Sequence, residues 1–241
     1  MSSMPFPVEI KLTLTGGVDQ ALEELDLHDP RSREVWFLED GTPGLASDLP
    51  LLDARVILRL RTDSRRDQST VKLRPARRSQ LTGHWFEPEK KDEFEYRIEG
   101  DWAGRRRVLA ASCGVDFPAG TFAPLLATGD LSAAFTDHQL KFIAECAGIP
   151  LNTAVLDPLG PIASTQWKDQ KLGAVEVDCE RWTVGEHDFL EISARADDET
   201  LAAGKQSLLD DAVHAHNLMV ASGQAPKTET VLRYLIKRDE R

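Results

Sequence analysis

Residues 7–14 place Val8, Ile10, Leu12 and Leu14 at every even position, with Glu9, Lys11 and Thr13 between them. An extended chain turns successive side chains to opposite faces, so this strand has one apolar face and one that carries both signs of charge. The pattern returns along the chain. In residues 54–62, Val56, Leu58 and Leu60 alternate with Arg55, Arg59 and Arg61. In 70–74, Val71 and Leu73 oppose Lys72 and Arg74, after a polar hairpin connection over 63–68. Phe94, Tyr96 and Ile98 oppose Glu93, Glu95, Arg97 and Glu99 in 91–99. Val175 and Val177 face away from Glu176, Asp178 and Glu180, and Leu190 and Ile192 face away from Glu191, Ser193 and Arg195. Residues 34–40 and the short polar stretch 165–171, which carries Lys168, complete the predicted strands.

Elsewhere the period is helical. A short helix is predicted over 18–27, with Leu22 and Leu25 on its apolar side. Phe135, Phe142, Ile143 and Cys146 mark a helical insertion at about 119–150 that stops at Gly148-Ile149-Pro150. Asp197-Asp198 caps a long helix with Leu201, Leu208, Leu209, Ala212, Val213 and His216 on one stripe, and a last helix runs over 228–237. Residues 152–161, with two prolines, read as a connector, and Arg105-Arg106-Arg107 as a solvated loop or strand edge.

The charges sort by strand. Arg59, Arg61, Lys72, Arg74 and Lys168 supply cations; Glu9, Glu93, Glu95, Glu176, Asp178 and Glu191 supply carboxylates. The ordinary use of such a sheet is a charged face in water and an apolar face under helices. The other use is closure into a barrel of about eight strands, ionic face inward. Buried charge must then be paired, hydrated or satisfied by a ligand. A polyphosphate with a divalent metal satisfies both signs: Arg and Lys take phosphate oxygens, and carboxylates take Mg²⁺ or Mn²⁺, which polarises the phosphoryl group.

Composition narrows the field. The chain has 241 residues, 41% hydrophobic and 29% charged, as in a folded globular protein. A net charge of −11 argues against general nucleic-acid binding, so an anionic ligand must meet locally concentrated positive charge. No apolar run approaches the ~20 residues of a membrane span, and no basic-then-apolar leader opens the sequence. Cys113, Cys146 and Cys179 are far apart, which suits neither a disulfide framework nor a zinc site; a cytoplasmic setting is expected. The six histidines form no ligand spacing.

With these residues in view the sequence resembles the CYTH, or triphosphate tunnel metalloenzyme, superfamily. Its ExExK motif is similar to Pro7-Val8-Glu9-Ile10-Lys11, and its LRxR to Leu58-Arg59-Leu60-Arg61. Its TxK resembles Thr70-Val71-Lys72, and its ExE Glu93-Phe94-Glu95. The late basic strand resembles Gln166-Trp167-Lys168, and the closing acidic strand Glu191-Ile192-Ser193. The resemblance implies an α+β fold: an eight-stranded antiparallel barrel with helices outside, one domain over 1–241, and C-terminal helices at about 198–238. It also implies metal-dependent hydrolysis of inorganic tripolyphosphate or an organic triphosphate. Lys11 and Lys72 would then be catalytic, with Lys11 touching phosphate or assisting the water. Arg59, Arg61, Lys72, Arg74 and Lys168 would hold phosphate with Lys11, and Glu9, Glu93, Glu95, Glu191 and Asp178 would hold Mg²⁺ or Mn²⁺. Two carboxylates of the pattern are replaced, by Pro7 and Ser193. That motivates an alternative, a non-catalytic polyphosphate or nucleotide binder. Adenylate cyclase is a weaker third reading, since no adenine pocket is suggested. The expected partner is a small-molecule triphosphate, with neither nucleic acid nor membrane, and a homodimer is left open.

Overall fold

Alternation in sequence becomes alternation in burial. In a computed structural model, Val8, Ile10, Leu12 and Leu14 are buried and Glu9, Lys11 and Thr13 are half-buried. The structure describes residues 6–239 except 43, 46, 76 and 222–225, with side chains described to 237. In chain order the elements are β1 (Val8–Leu14), α1 (Val18–Leu25), β2 (Arg31–Asp40), α2 (Pro50–Asp53), β3 (Val56–Thr62) and β4 (Arg66–Leu73). There follow β5 (Glu89–Lys90), β6 (Glu95–Ala103), β7 (Arg106–Pro118), α3 (Phe122–Thr128) and α4 (Asp137–Ala147). The chain ends with β8 (Leu156–Leu172), β9 (Val175–Val184), β10 (His187–Ala196), α5 (Glu199–Ala215) and α6 (Lys227–Asp239).

The strands bond in the order β1-β10-β9-β8-β2-β3-β4-β7-β6-β5, and β1 also pairs β6. Nine strands thus form a closed hydrogen-bonded circuit, with the two-residue β5 hanging from β6. The fold is α+β with a closed mixed barrel. It differs from expectation in having nine strands rather than eight, and in one parallel pairing, Val8↔Gly100 to Lys11↔Ala103. Gly100 permits that approach, since a Cβ there would lie 3.1 Å from Val8 Cγ2.

The chain divides into two units, each with its own core. The first comprises Met1–Ser32, Glu99–Val108 and Ile162–Lys227. Its core joins the apolar faces of β1, β9 and β10 to Val18, Ala21 and Leu25 of α1 and Ala202, Leu209 and Val213 of α5. The second comprises Arg33–Ile98, Leu109–Pro161 and Thr228–Arg241. There Leu58, Leu60, Val71, Leu73 and Cys113 pack with Phe122 of α3 and with Phe142, Ile143 and Cys146 of α4. All three cysteines are free and buried. Among the described residues no helix is long and apolar enough to cross a membrane.

Several local expectations are corrected. Residues 152–161 are no connector: one 3-10 turn, Thr153–Val155, leads into the 17-residue β8. Its pairing with β9 begins at Ala163↔Thr183, past both prolines, so neither is asked for an N–H in that ladder. The 63–68 connection shortens because β4 begins at Arg66. Asp63 closes the turn by accepting the backbone N–H groups of Arg65 (2.7 Å) and Arg66 (3.0 Å). On α5, Leu201 and Leu208 are 56% and 53% exposed; the buried stripe is Ala202, Leu209 and Val213.

Candidate functional site

In the second unit, register decides which cations meet. On β3 and β4, Arg59 lies opposite Thr70, Arg61 opposite Gln68, and Lys72 opposite Ile57. Residues directly opposite in an antiparallel pair share a face. Arg59, Arg61, Lys72, Thr70 and Gln68 therefore stand on one face, while Leu58, Leu60, Val71 and Leu73 on the other enter the core. The face continues onto β7, where Ser112 and Gly114 oppose Lys72 and Thr70. All three cations are half-buried. Arg74 follows just past the end of β4, half-buried, its N–H donated to the Arg55 carbonyl at 3.0 Å.

The acids of this unit are placed differently. Glu93 is exposed in the bend before β6, whereas Glu95 opens β6 and is half-buried. Burial alone would raise the Glu95 carboxyl, but hydrogen bonding to Arg97 and the Lys90 ammonium at 3.6 Å outweigh it and hold the group below the usual range.

In the first unit the polar face joins Glu9 and Lys11 of β1 to Glu191 and Ser193 of β10 and to Asp178 and Glu180 of β9, through the pairs Lys11↔Ser193, Glu191↔Glu180 and Ser193↔Asp178. Lys11 Nζ lies 2.7 Å from Glu9 Oε2 and 3.4 Å from Asp101 Oδ1. Burial would lower the pKa of this ammonium, yet the charges of Glu9, Asp101 and Glu191 together prevail and hold it well above an ordinary lysine. Lys11 is therefore a fixed positive charge. Lys168 sits at the irregularity between Trp167 and Gln170 of β8 and meets Asp178 at 2.8 Å. Asp178 also accepts the Asp169 N–H at 3.1 Å. Glu176 is exposed.

Three participants escaped the sequence reading. Asp101, 2% exposed, continues the parity of Glu95, Arg97 and Glu99, so the alternation already contained it. Glu180 was visible as a polar position but matched no motif; its carboxylate accepts the Ser164 hydroxyl at 2.9 Å. Lys227 gave no signal, since it opens α6 after an aperiodic stretch. Its side chain is 5% exposed and its Nζ lies 3.6 Å from Glu180, 3.5 Å from Glu191 and 3.9 Å from the centre of the Trp182 ring.

The two replaced positions have structural uses. The Pro7 carbonyl accepts the Gly100 N–H at 2.8 Å, and the Ser193 hydroxyl reaches the Asp178 carbonyl at 3.4 Å. Among the described residues, no three Asp, Glu, His or Cys side chains group as a metal site. Mg²⁺ wants near-octahedral oxygens at about 2.0–2.1 Å. The first unit's Glu9, Glu191 and Asp178 each lie beside a lysine ammonium.

No protein-family model and no curated protein sequence matches the chain. Solved structures do. A candidate adenylyl cyclase from Hippeastrum, described as having a dominant triphosphatase activity, is 11% identical with a TM-score of 0.62, covering 95% of this chain and 96% of that one. A candidate adenylate cyclase from Bacillus halodurans is 11% identical with a TM-score of 0.58, over 93% and 97% of the two chains. The PH1819 protein from Pyrococcus horikoshii is 10% identical with a TM-score of 0.52, over 97% and 99%. At these identities what is shared is the fold, and it is the fold that the resemblance to the CYTH superfamily implied.

Proposed function

We propose that this protein binds a linear triphosphate, inorganic tripolyphosphate or the triphosphate of an organic molecule, and hydrolyses it. The observation that carries the reading is the row of half-buried Arg59, Arg61 and Lys72 on one face of β3 and β4. Two guanidinium groups engage phosphate oxygens in forked pairs, and a lysine adds a compact charge. In the reaction a water oxygen bonds to the terminal phosphorus. The bond to the bridging oxygen breaks, its electron pair leaves on the diphosphate, and the water's protons pass to orthophosphate or solvent. Such transition states are loose and spread charge over the phosphoryl oxygens, so positioned cations matter more than a strong base. Lys11, held charged by its carboxylates, is unsuited to proton abstraction. Mg²⁺ or Mn²⁺ enters on this reading with the triphosphate, as its counter-ion.

Phosphate release from tripolyphosphate, thiamine triphosphate and ATP, with cyclic AMP followed in the ATP reaction, tests this directly. Arg59→Ala or Lys72→Ala is expected to lower kcat/KM by about 10²-fold or more, the scale of losing one preorganised charge donor. Turnover indifferent to both substitutions sinks the proposal.

The second reading, a binder without turnover, draws on the pairing of the first unit's carboxylates with lysines. Metal-independent binding of tripolyphosphate with no phosphate released selects it.

A further inference from the structure

The first unit contains the same arrangement twice. Glu180 and Glu191 are directly opposed on β9 and β10, and Glu9 and Asp101 are partners across the β1–β6 pairing. Like charges opposed across strands repel, and burial sharpens the repulsion. Each pair holds one lysine: Lys11 at 2.7 and 3.4 Å from Glu9 and Asp101, Lys227 at 3.6 and 3.5 Å from Glu180 and Glu191.

We propose that Lys11 and Lys227 are the resident cations of this acidic face, occupying by ammonium the place a divalent metal would take, and that the chain carries no metal ion of its own there. Three features support it. An ammonium at these distances from two carboxylates repels a second cation and fills the space it would need. The Trp182 ring, 3.9 Å from Lys227 Nζ, offers its negative face to an ammonium on a long apolar stem. A hydrated hard dication prefers oxygen ligands and gains little from a ring. Ser193 also stands between Lys11 and Asp178 in the strand register and contributes a hydroxyl rather than a third acid. The assignment is independent of the substrate, because it concerns the ligand-free face alone.

The test is titration of the purified full chain with Mn²⁺, following the free ion by electron paramagnetic resonance, with unfolding temperature measured in EDTA and in excess Mn²⁺. The wild type is expected to leave the Mn²⁺ signal undiminished and to unfold at the same temperature in both conditions. Lys227→Met, which keeps the stem and removes the charge, is expected to bind Mn²⁺ at least about tenfold more tightly and to gain unfolding temperature when the ion is present. If Lys227→Met does not fold without metal, refolding it in Mn²⁺ but not in EDTA gives the same answer. Stoichiometric Mn²⁺ binding to the wild type that is lost in Glu191→Gln overturns the proposal. So does a Lys227→Met variant as indifferent to Mn²⁺, in binding and in refolding, as the wild type.

Discussion

Glu39 is a carboxyl asked to do a neutral group's work. It is 4% exposed and accepts the N–H groups of Leu51 (2.8 Å) and Leu52 (3.0 Å) at the start of α2. Burial dominates, the backbone donors and nearby Asp53 adjust the balance, and the pKa is pushed up from 4.5 to about 7. A folded pKa above the unfolded one means that the native state holds the proton more tightly. The contribution is complete below about pH 4.5 and is lost as pH rises through about 7. The shift corresponds to about 3 kcal/mol across that window. Unfolding free energy from urea titrations is therefore expected to fall between pH 5 and 8, and Glu39→Gln is expected to flatten the slope. An unchanged slope in the variant would locate the pH dependence elsewhere.

At the scale of elements, polar side chains fix where helices begin. Asp67, 1% exposed on β4, accepts the backbone N–H of Phe122 at 2.7 Å and so holds the first turn of α3 to the sheet. Asp67→Ala leaves that buried donor unmet, which costs about 1–3 kcal/mol. The unfolding free energy from denaturant titration is expected to fall by that amount while the Arg59–Lys72 face keeps its ligand affinity. Loss of both together would mean that α3 shapes the face. The same contrast explains what could be read from sequence. Period-two alternation marked β1, β3, β4 and β10 with their faces, because each has one side in a core and one polar. It also placed Arg59 and Arg61 on one face and Lys72 on the face opposite Val71, since strand parity is local information; that the three share a face follows from the β3–β4 register. The start of β8 was missed because its burial follows no two-residue period through Pro158 and Pro161. Lys227 was missed because its place beside Glu180 and Glu191 is set by tertiary packing, which leaves no trace in neighbouring residues.

For the molecule as a whole, 40 acidic and 29 basic residues leave a net charge of −11, opposed to the cations proposed to hold a triphosphate. The two fields act over different distances. At about 10 mM salt, where the screening length is about 30 Å, an approaching polyanion meets the net negative charge from a distance and is repelled. Within contact range it meets Arg59, Arg61 and Lys72, whose half-burial shields those interactions from salt. Raising ionic strength from about 10 mM to about 150 mM lengthens the range of neither field but weakens the outer one more. The association rate of tripolyphosphate is therefore expected to rise with salt, the reverse of a protein whose net charge attracts its phosphate ligand. Stopped-flow binding at constant Mg²⁺ measures it. A rate that falls over this range would mean that the local cations, not the net charge, govern the approach, and Arg59→Ala would then flatten the dependence.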